Sequence, residues 1–417
     1  MTSAGAVFPA LDRAFARSHF PAFDEAPWRG QAHFDNAGGS FACRQVITRL
    51  ERYYRETKVQ PYGAHPLSHR AGEEMDAAHA RLAQYLGVDA DRVHLGPSTS
   101  QNTYVLAQAF AGILAPGDEI IVTNQDHEAN SGAWRRLGER GIVVREWAVD
   151  PHTGRLDPQG LDALLNRRTR LVAFTHCSNI LGQINPVTEL CARVHAAGAL
   201  AVVDGVSFAG HGLPDVAALG ADIYLFSLYK VYGPHQGVMV LAPAVLARLG
   251  NQGHYFNADQ PRKRLVPAGP DHAQVAASTG VAEYFDALHA HQFPGTPSTA
   301  AQRAADVRRL LREAEIGPLA RLLDFCRTDP RVRLLGPAQA AERAATVSVQ
   351  TLRAPPREVA GRLAGRGINA GAGHFYAARL LEALGVPATA GVLRLSFVHT
   401  TGPEEMAALL GALDETL

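Results

Sequence analysis

Between residues 92 and 242 the chain alternates short apolar runs with segments of helical spacing. A segment such as PVTELCARVHAAGA (186–199) carries apolar residues every three or four positions, which predicts a helix. The runs between such segments are apolar along their whole length, so the strands they predict must be covered on both faces. The pattern predicts an α/β fold with a mostly parallel central sheet and helices on both sides. The predicted strands are RVHLG (92–96), EIIVT (119–123), IVVREWAV (142–149), RLVAFTH (170–176), LAVVDGV (200–206), IYLFSL (223–228) and VMVLA (238–242).

The rhythm of the sequence changes near residue 284. Long helical segments follow, then the strand-like ATVSVQT and GVLRLSFV, and a last helix that begins at GPEEM. This order is typical of a smaller α+β domain. We therefore expect an N-terminal segment (1–30) that packs on the small domain, a large domain (31–283) and a small C-terminal domain (284–417).

The charge balance argues against several classes of partner. Forty Lys and Arg residues balance 40 Asp and Glu residues, and no long run of one sign occurs, so neither nucleic acid nor a membrane surface is an expected partner.

The N-terminus lacks the pattern of a secretory signal, and no window approaches the ~20 apolar residues of a membrane span. Scattered cysteines without a CxxC pair favour the cytoplasm and argue against a disulfide framework or a metal site. The cysteines are Cys43, Cys177, Cys191 and Cys326.

Lysine is rare in this chain, and one of its lysines stands at an unusual position. The chain has three lysines against 37 arginines. Lys58 lies in a charged helical segment and Lys263 in the basic run PRKR, whereas Lys230 follows the strand-like run 223–228 and precedes a Gly-Pro turn. An amine in this position is a potential nucleophile, and arginine cannot replace it because a guanidinium stays protonated.

A loop suited to phosphate lies at the same edge of the predicted sheet, where open α/β sheets bind ligands. The segment GPSTSQN (96–102) opens a predicted helix (101–114). The backbone N–H groups of a helix N-terminus, together with the hydroxyls of Thr99 and Ser100, suit an anion. The same residues are equally compatible with an ordinary helix cap.

Further polar side chains follow neighbouring strands: His127, Asn179 and Asp204. Each alone is compatible with a capping or turn residue. Together with Lys230 and the phosphate-type loop, however, they match the needs of pyridoxal 5'-phosphate. The lysine amine forms a Schiff base with the aldehyde of this cofactor, and a carboxylate keeps its pyridine nitrogen protonated so that the ring withdraws electrons.

Longer motifs point the same way. The segments DHEAN, SNILGQINPV, GADIYLFSLYKVYGP, GHFYA and LRLSF follow one another along the chain. With them the chain resembles the fold-type I pyridoxal-phosphate enzymes of the class V aminotransferase family, in particular the cysteine desulfurase-like branch. The resemblance runs from HFDNAGGS (33–40) to GPEEM (402–406). It implies a pyridoxal 5'-phosphate cofactor and a homodimer with its active site at the subunit interface.

The resemblance also implies roles for single residues. Lys230 matches the Schiff-base lysine, Asp204 the partner of the pyridine nitrogen and His127 the residue that stacks on the ring. Asn179 matches a residue near the phenolic oxygen of the cofactor. Arg394 matches the arginine that binds the substrate α-carboxylate, although a strand-edge arginine paired with a surface acid is the alternative. The phosphate contacts match Thr99, Ser100 and Ser227.

Several positions depart from the pattern of the desulfurases. Tyr376 stands where they carry the nucleophilic cysteine, and persulfide formation needs a thiolate. Ser207 replaces a glutamine beside the cofactor, Gly371 an arginine and Tyr229 a histidine. The threonine that usually reaches the partner's phosphate is missing from PAGPDH (267–272). The resemblance therefore favours binding of the cofactor but not desulfuration.

The type of reaction stays open at this point. A Cβ-type elimination ranks first, because it needs only proton removal by Lys230 and an acid to the leaving group, either Tyr376 or His374, which we also expect to contact the substrate. Aminotransfer needs the same residues and a keto acid. Epimerisation needs a second acid or base on the opposite face of the ring, for which either Tyr376 or a residue of the neighbouring subunit would serve. A non-enzymatic protein that retains the fold is disfavoured, because both Lys230 and Asp204 are present.

Overall fold

The computed structural model of the chain describes residues 8–417, so the first seven residues of the predicted N-terminal segment lie outside the described residues. Two sheets organise the described part. The strands in chain order are β1 (Ala32–Phe34), β2 (Val93–Gly96), β3 (Glu119–Thr123), β4 (Val143–Trp147), β5 (Thr169–Thr175), β6 (Leu200–Asp204), β7 (Ile223–Ser227), β8 (Gly237–Leu241), β9 (Val332–Leu335), β10 (Thr346–Thr351), β11 (Ile368–Gly373) and β12 (Val392–Ser396).

The larger sheet has the strand order β2–β8–β7–β6–β5–β3–β4. Its neighbouring strands run parallel except at β8, which is antiparallel to both β7 and β2. Along β3, Ile120 and Val122 pack into one hydrophobic cluster and Ile121 into another, because successive side chains of a strand point to opposite faces. The continuous apolar runs are thus covered on both faces, and the predicted α/β fold with a mostly parallel sheet is confirmed.

Helices cover both faces of this sheet. The segment predicted to be helical at 186–199 forms α7, whose Val187, Leu190 and Val194 are buried. Within residues 8–417, no helix is both long enough and apolar enough to cross a membrane. The helices are α1 (Arg13–Ser18), α2 (Arg44–Glu56), α3 (Pro66–Leu86), α4 (Thr99–Ala111), α5 (Glu128–Arg135), α6 (Pro158–Leu164), α7 (Val187–Ala196), α8 (Val216–Leu219), α9 (Pro243–Arg248), α10 (His272–Ala277), α11 (Thr279–Gln292), α12 (Ala300–Thr328), α13 (Pro356–Ala364), α14 (Ala378–Ala383) and α15 (Pro403–Thr416).

The smaller sheet has the order β1–β11–β12–β10–β9. Strand β1 runs parallel to β11, and the other neighbours are antiparallel. In the N-terminal segment, Arg17 forms an ion pair with Glu405 of α15 at 3.0 Å. The domain limits at residues 30 and 283 stay predictions, but β1, which the sequence placed in the large domain, pairs with the smaller sheet.

The carboxyl edge of the larger sheet meets the smaller sheet. The segment that follows β5 contacts both β10 and β12: Ser348 donates its hydroxyl to the carbonyl of Ile180 at 2.7 Å, and Arg394 reaches the carbonyl of Asn179. Side chains from both sheets therefore surround the ends of β3, β5, β6 and β7.

Candidate active site

A cavity of about 160 Å³ opens at this carboxyl edge. Residues that lie far apart in the sequence meet there, because the carboxyl ends of parallel strands share one edge of the sheet. Eight of the residues selected from the sequence line the cavity: Thr99, Ser100, His127, Asn179, Asp204, Ser207, Ser227 and Lys230.

Lys230 ends a short 3-10 turn (Leu228–Lys230) directly after β7. Burial, and secondly the positive charge of Arg394, lower the pKa of its amine to about 8. The carboxylate of Asp204 acts in the opposite direction. A large fraction of the amine is therefore neutral near pH 8, as a nucleophile or base requires.

Asp204 is the last residue of β6 and is only 3% exposed. One oxygen of its carboxylate accepts a hydrogen bond from the backbone N–H of Val206 at 2.8 Å. Burial raises the pKa of this carboxyl group to about 6, against the smaller opposing effects of that hydrogen bond and of Lys230. A buried carboxylate with so few donors would be stabilised by a cationic partner.

The loop after β2 forms a cradle of hydroxyl and N–H groups. Ser98 caps α4 by accepting from the N–H of Gln101 at 3.2 Å, so the helix begins at Thr99, two residues earlier than predicted from the sequence. The hydroxyls of Thr99 and Ser227 are 2.7 Å apart. A Cβ atom at Gly237 would lie 2.3 Å from the carbonyl carbon of Ser98, so only glycine permits this approach of β8.

His127 caps α5 and remains a neutral ring. Its Nδ1 accepts a hydrogen bond from the N–H of Ala129 at 3.0 Å, which leaves the proton on Nε2. Burial lowers the pKa of His127 to about 3, and the charges of Lys230 and Arg394 add to this effect. A neutral, partly buried ring at the cavity wall is suited to stacking.

Asn179 joins the cavity to the loop after β11. Its Nδ2 donates to the carbonyl of Phe375 at 2.8 Å. Its buried Oδ1 has no hydrogen-bond partner among residues 8–417. A buried amide oxygen without a donor is costly, so a ligand that donates to it would be favoured.

Arg394 lies in β12 and is 3% exposed. Its Nη2 forms an ion pair with Oδ1 of Asp35 at 3.0 Å, and Phe375 covers its guanidinium, with 3.7 Å between Cζ and the ring centroid. Strand β12 lies between β11 and β10, so Arg394 is not at a sheet edge. Arg394 does not itself line the cavity among the described residues.

His374 and Tyr376 lie at the rim and not in the cavity wall formed by the described residues. The side chain of Tyr376 is exposed, and its ring centroid is 5.2 Å from that of His127. Nδ1 of His374 accepts from the N–H of Tyr376 at 3.1 Å. The structure thus brings Tyr376 near the cavity residue His127, whereas His374 contacts only Tyr376 in these interactions.

Sequence reasoning missed several residues around the cavity. Asp35 stood out only as part of the motif HFDNAGGS, and Phe375 only as part of GHFYA. His235, one residue after the Gly-Pro turn, lines the cavity and stacks on Tyr229, with 4.8 Å between ring centroids and 4° between planes. An acid beside a glycine-rich turn and a histidine after Gly-Pro were the available signals.

The residues present fit pyridoxal 5'-phosphate. The amine of Lys230 suits an aldehyde, and the buried carboxylate of Asp204 suits a protonated ring nitrogen. Oδ1 of Asn179, which has no hydrogen-bond partner within residues 8–417, suits a hydroxyl donor, and the start of α4 suits a phosphate. The fold and these residues define a fold-type I pyridoxal-phosphate protein.

Comparisons with known proteins support the assignment to this class of protein. The model of the family "Aminotransferase class-V" matches residues 32–249. The aminotransferase-like protein FGM3 of Gibberella zeae is 34% identical over 414 residues, which are 96% of this chain and 97% of that protein. A probable cysteine desulfurase of Pseudomonas aeruginosa is 31% identical over the same shares of the two chains. The chain therefore belongs to the aminotransferase class-V family, whose members use pyridoxal 5'-phosphate.

Solved structures agree on the fold. The cysteine desulfurase of Thermococcus onnurineus NA1 matches with a TM-score of 0.84 at 22% identity, over 98% of both chains. The cysteine desulfurase CsdA of Escherichia coli matches with a TM-score of 0.80 at 24% identity, over 98% of this chain and 99% of that one. At these identities the likeness establishes the fold alone.

Proposed function

We propose that this protein is a pyridoxal-phosphate-dependent enzyme that catalyses a Cβ-type elimination on an amino acid. The observation that carries the proposal is the pairing, in one cavity, of a lysine with a pKa of about 8 and a buried carboxylate with little hydrogen bonding. When bound, the cofactor would supply an electron-withdrawing ring that stabilises negative charge at the α carbon of the substrate.

Each part of that cofactor would be bound by particular residues of the chain. Lys230 would hold it covalently, and Asp204 would bind its ring nitrogen. The phosphate would accept hydrogen bonds from the start of α4 and from the hydroxyls of Thr99, Ser100 and Ser227. His127 would lie against the ring, with Asn179 and Ser207 beside it.

Proton transfer would use groups on two sides of the cavity. Nζ of Lys230 would remove the proton from the α carbon of the substrate, which its lowered pKa favours. Tyr376, or His374 beside it, would donate a proton to the group leaving the β carbon. The loop that carries both residues reaches the site through the contacts of Phe375.

The cysteines of the chain do not support persulfide chemistry. All four are buried, and burial raises the pKa of each thiol to about 12. Cys177 touches the cavity, but its Sγ donates to the carbonyl of Gly182 at 3.1 Å. A protonated and rigidly held thiol is a poor nucleophile.

Aminotransfer is the second candidate. The full-length similarity to an aminotransferase-like protein favours it, and it would use Lys230 and Asp204 in the same way. It differs in needing a keto acid that accepts the amino group.

Incubation with L-cysteine and other β-substituted amino acids tests the proposal. Elimination converts L-cysteine and water into pyruvate, ammonia and hydrogen sulfide, with no second substrate. Product formation that requires a keto acid, with the amino group recovered in the corresponding amino acid, would replace elimination by aminotransfer. If the purified protein contains no bound cofactor, both elimination and aminotransfer are excluded.

We also propose that the chain acts as a homodimer. Tyr255 and Phe256 are 88% and 64% exposed, and adjacent exposed aromatic rings are typical of interaction sites. They lie shortly before the segment 267–272, which stands where relatives reach the partner's phosphate but lacks the threonine that makes this contact. Sedimentation of the variant Tyr255→Ser/Phe256→Ser tests this: we expect a monomer that binds the cofactor more weakly, and an unchanged dimer would contradict the assignment of this surface.

A further inference from the structure

The aromatic side chain of Phe375 covers the charged group of Arg394. The ring centroid lies 3.7 Å from Cζ of the guanidinium, the distance of a close cation–π contact. Oδ1 of Asp35 forms an ion pair with Nη2 of the same arginine at 3.0 Å. With one edge paired and its plane covered, Arg394 is only 3% exposed.

A glycine makes room for this ring. A Cβ atom at Gly371 would lie 2.9 Å from two ring carbons of Phe375 and 2.8 Å from Oδ1 of Asp35. Any larger residue at position 371 would push the ring or the carboxylate away. The combination of Gly371 and Phe375 thus permits an arrangement that a side chain at position 371 would prevent.

The loop that carries Phe375 is held in a strained conformation. Phe375 and Tyr376 have φ angles of 48° and 58°, a region that aromatic residues rarely adopt. Two hydrogen bonds tie the backbone carbonyls of these two residues to other segments: Asn179 donates to the carbonyl of Phe375 at 2.8 Å, and the N–H of Glu128 donates to the carbonyl of Tyr376 at 2.7 Å. A strained loop tied by few bonds is one that a ligand is able to displace.

We propose that Phe375 is a specificity-determining residue that shields Arg394, so that a ligand carboxylate must displace its ring before it binds the guanidinium. The inference rests on the proposed function and on the role that the family resemblance implies for Arg394, which is to bind the substrate α-carboxylate. Phe375 acts through Arg394 and is therefore a positioning residue. It weakens the binding of ligands that carry an α-carboxylate and leaves amines without one unaffected.

Two measurements on Phe375→Ala test the shield. The first is the rate at which phenylglyoxal modifies Arg394 in the purified protein, followed by peptide mass spectrometry. The expected rate is several-fold higher in the variant, while the exposed Arg168 and the buried Arg343 keep their rates as internal references. An unchanged rate at Arg394 would overturn the proposal.

The second measurement compares L-alanine with ethylamine, which differ only by the carboxylate. Their dissociation constants are obtained from the absorbance change of the bound cofactor. We expect Phe375→Ala to bind L-alanine about 2- to 30-fold more tightly, the range of a desolvated cation–π contact, and to bind ethylamine as the wild type does. An equal change for both ligands, or none for L-alanine, would overturn the proposal.

Further variants separate shielding from loss of structure. Phe375→Tyr keeps the ring and should behave as the wild type in both measurements, whereas Phe375→Leu removes the aromatic face with less loss of volume and should resemble Phe375→Ala. The matched control is Phe23→Ala, because Phe23 lies at the same 3.7 Å from Cζ of Arg17, outside the cavity. If the purified protein binds no cofactor, the proposed function fails, and the reactivity of Arg394 still decides whether Phe375 covers it.

Discussion

Two buried carboxylates lie at opposite ends of the larger sheet. Glu119 is the first residue of β3 and Asp204 the last residue of β6, and both are almost fully buried. Glu119 is paired with Arg145 and Arg168 and accepts a hydrogen bond from Asn166 at 2.8 Å. Asp204 has a backbone donor and the more distant charge of Lys230.

The different surroundings move the two pKa values in opposite directions. Hydrogen bonds, first that from Arg145, lower the pKa of Glu119 to about 2, whereas burial raises that of Asp204 to about 6. At the amino end of the sheet the fold itself satisfies the charge. At the carboxyl end the described residues give the charge only one backbone donor, which is the surrounding we expect for a carboxylate that binds a cationic ligand.

Replacement of Lys230 should have the largest effect at the carboxyl end. Lys230→Ala and Lys230→Arg should both lower turnover at least about 10⁴-fold, because neither side chain bonds to the aldehyde or removes a proton. Borohydride treatment followed by peptide mass spectrometry should find the cofactor on Lys230 in the wild type and on no residue in the variants. Lys263→Ala is the control, and a fully active Lys230→Ala protein would end the proposed function.

Replacing each carboxylate by its amide tests directly whether Glu119 and Asp204 have different roles. Asp204→Asn should lower turnover by about 10²- to 10⁴-fold, since loss of one partner of a buried ion pair costs about 3 to 5 kcal/mol. Glu119→Gln should keep turnover but lower the free energy of unfolding by about 1 to 3 kcal/mol, because charged hydrogen bonds to two arginines are lost. Steady-state kinetics and urea unfolding check both, and wild-type rates in Asp204→Asn would show that the role assigned to it is wrong.

The pH dependence of unfolding should have opposite signs for the two groups. The pKa of Glu119 is about 2 in the folded chain, below its ordinary value of 4.5, so its contribution to stability is present above pH 4.5 and is lost as the pH falls towards 2. The pKa of Asp204 is about 6, above its ordinary 3.8, so the folded state binds more protons and stability falls as the pH rises from about 4 to 6.

Urea unfolding of the cofactor-free protein measures this difference. Asp126 has a pKa raised to about 7 by burial and contributes with the same sign as Asp204, so the profile of Asp204→Asn is subtracted from that of the wild type. Glu119→Gln serves in the same way for the other group. Difference profiles of equal sign would contradict the comparison.

Cys177 should give the smallest effect, although it touches the same cavity. Its thiol is buried, hydrogen-bonded and protonated, so Cys177→Ala should change turnover little, and iodoacetamide should leave activity largely intact. Sulfide from L-cysteine should appear free in solution. A persulfide on any of the four cysteines during turnover, together with inactivation by Cys177→Ala, would instead restore desulfuration.

The regular fold and the centre of the site were predictable because their signals are local. Each buried parallel strand is an apolar run, and the run itself marks its carboxyl end, where Asp204 and Lys230 lie. Lys230 was further marked by the scarcity of lysine. Parallel strands necessarily bring such ends together, so the cavity lining followed from the order of the strands.

The surroundings of Arg394 depended on contacts that no local pattern encodes. Arg394 and Asp35 are 359 residues apart in the chain. They meet because β1, which Asp35 directly follows, and β12 both pair with β11 in the smaller sheet. The left-handed backbone at Phe375 is unusual for an aromatic residue, so neither its residue type nor its neighbours predicted it.

The sequence alone thus determined the α/β fold, the strand-end lysine and carboxylate and the absence of a cysteine at position 376, because each depends on residue type and on spacing along one element. The tertiary structure alone decided which charges are satisfied and that Phe375 covers Arg394. Burial and pairing are properties of surfaces brought together from distant parts of the chain, and these form only when distant strands pair and the two sheets pack.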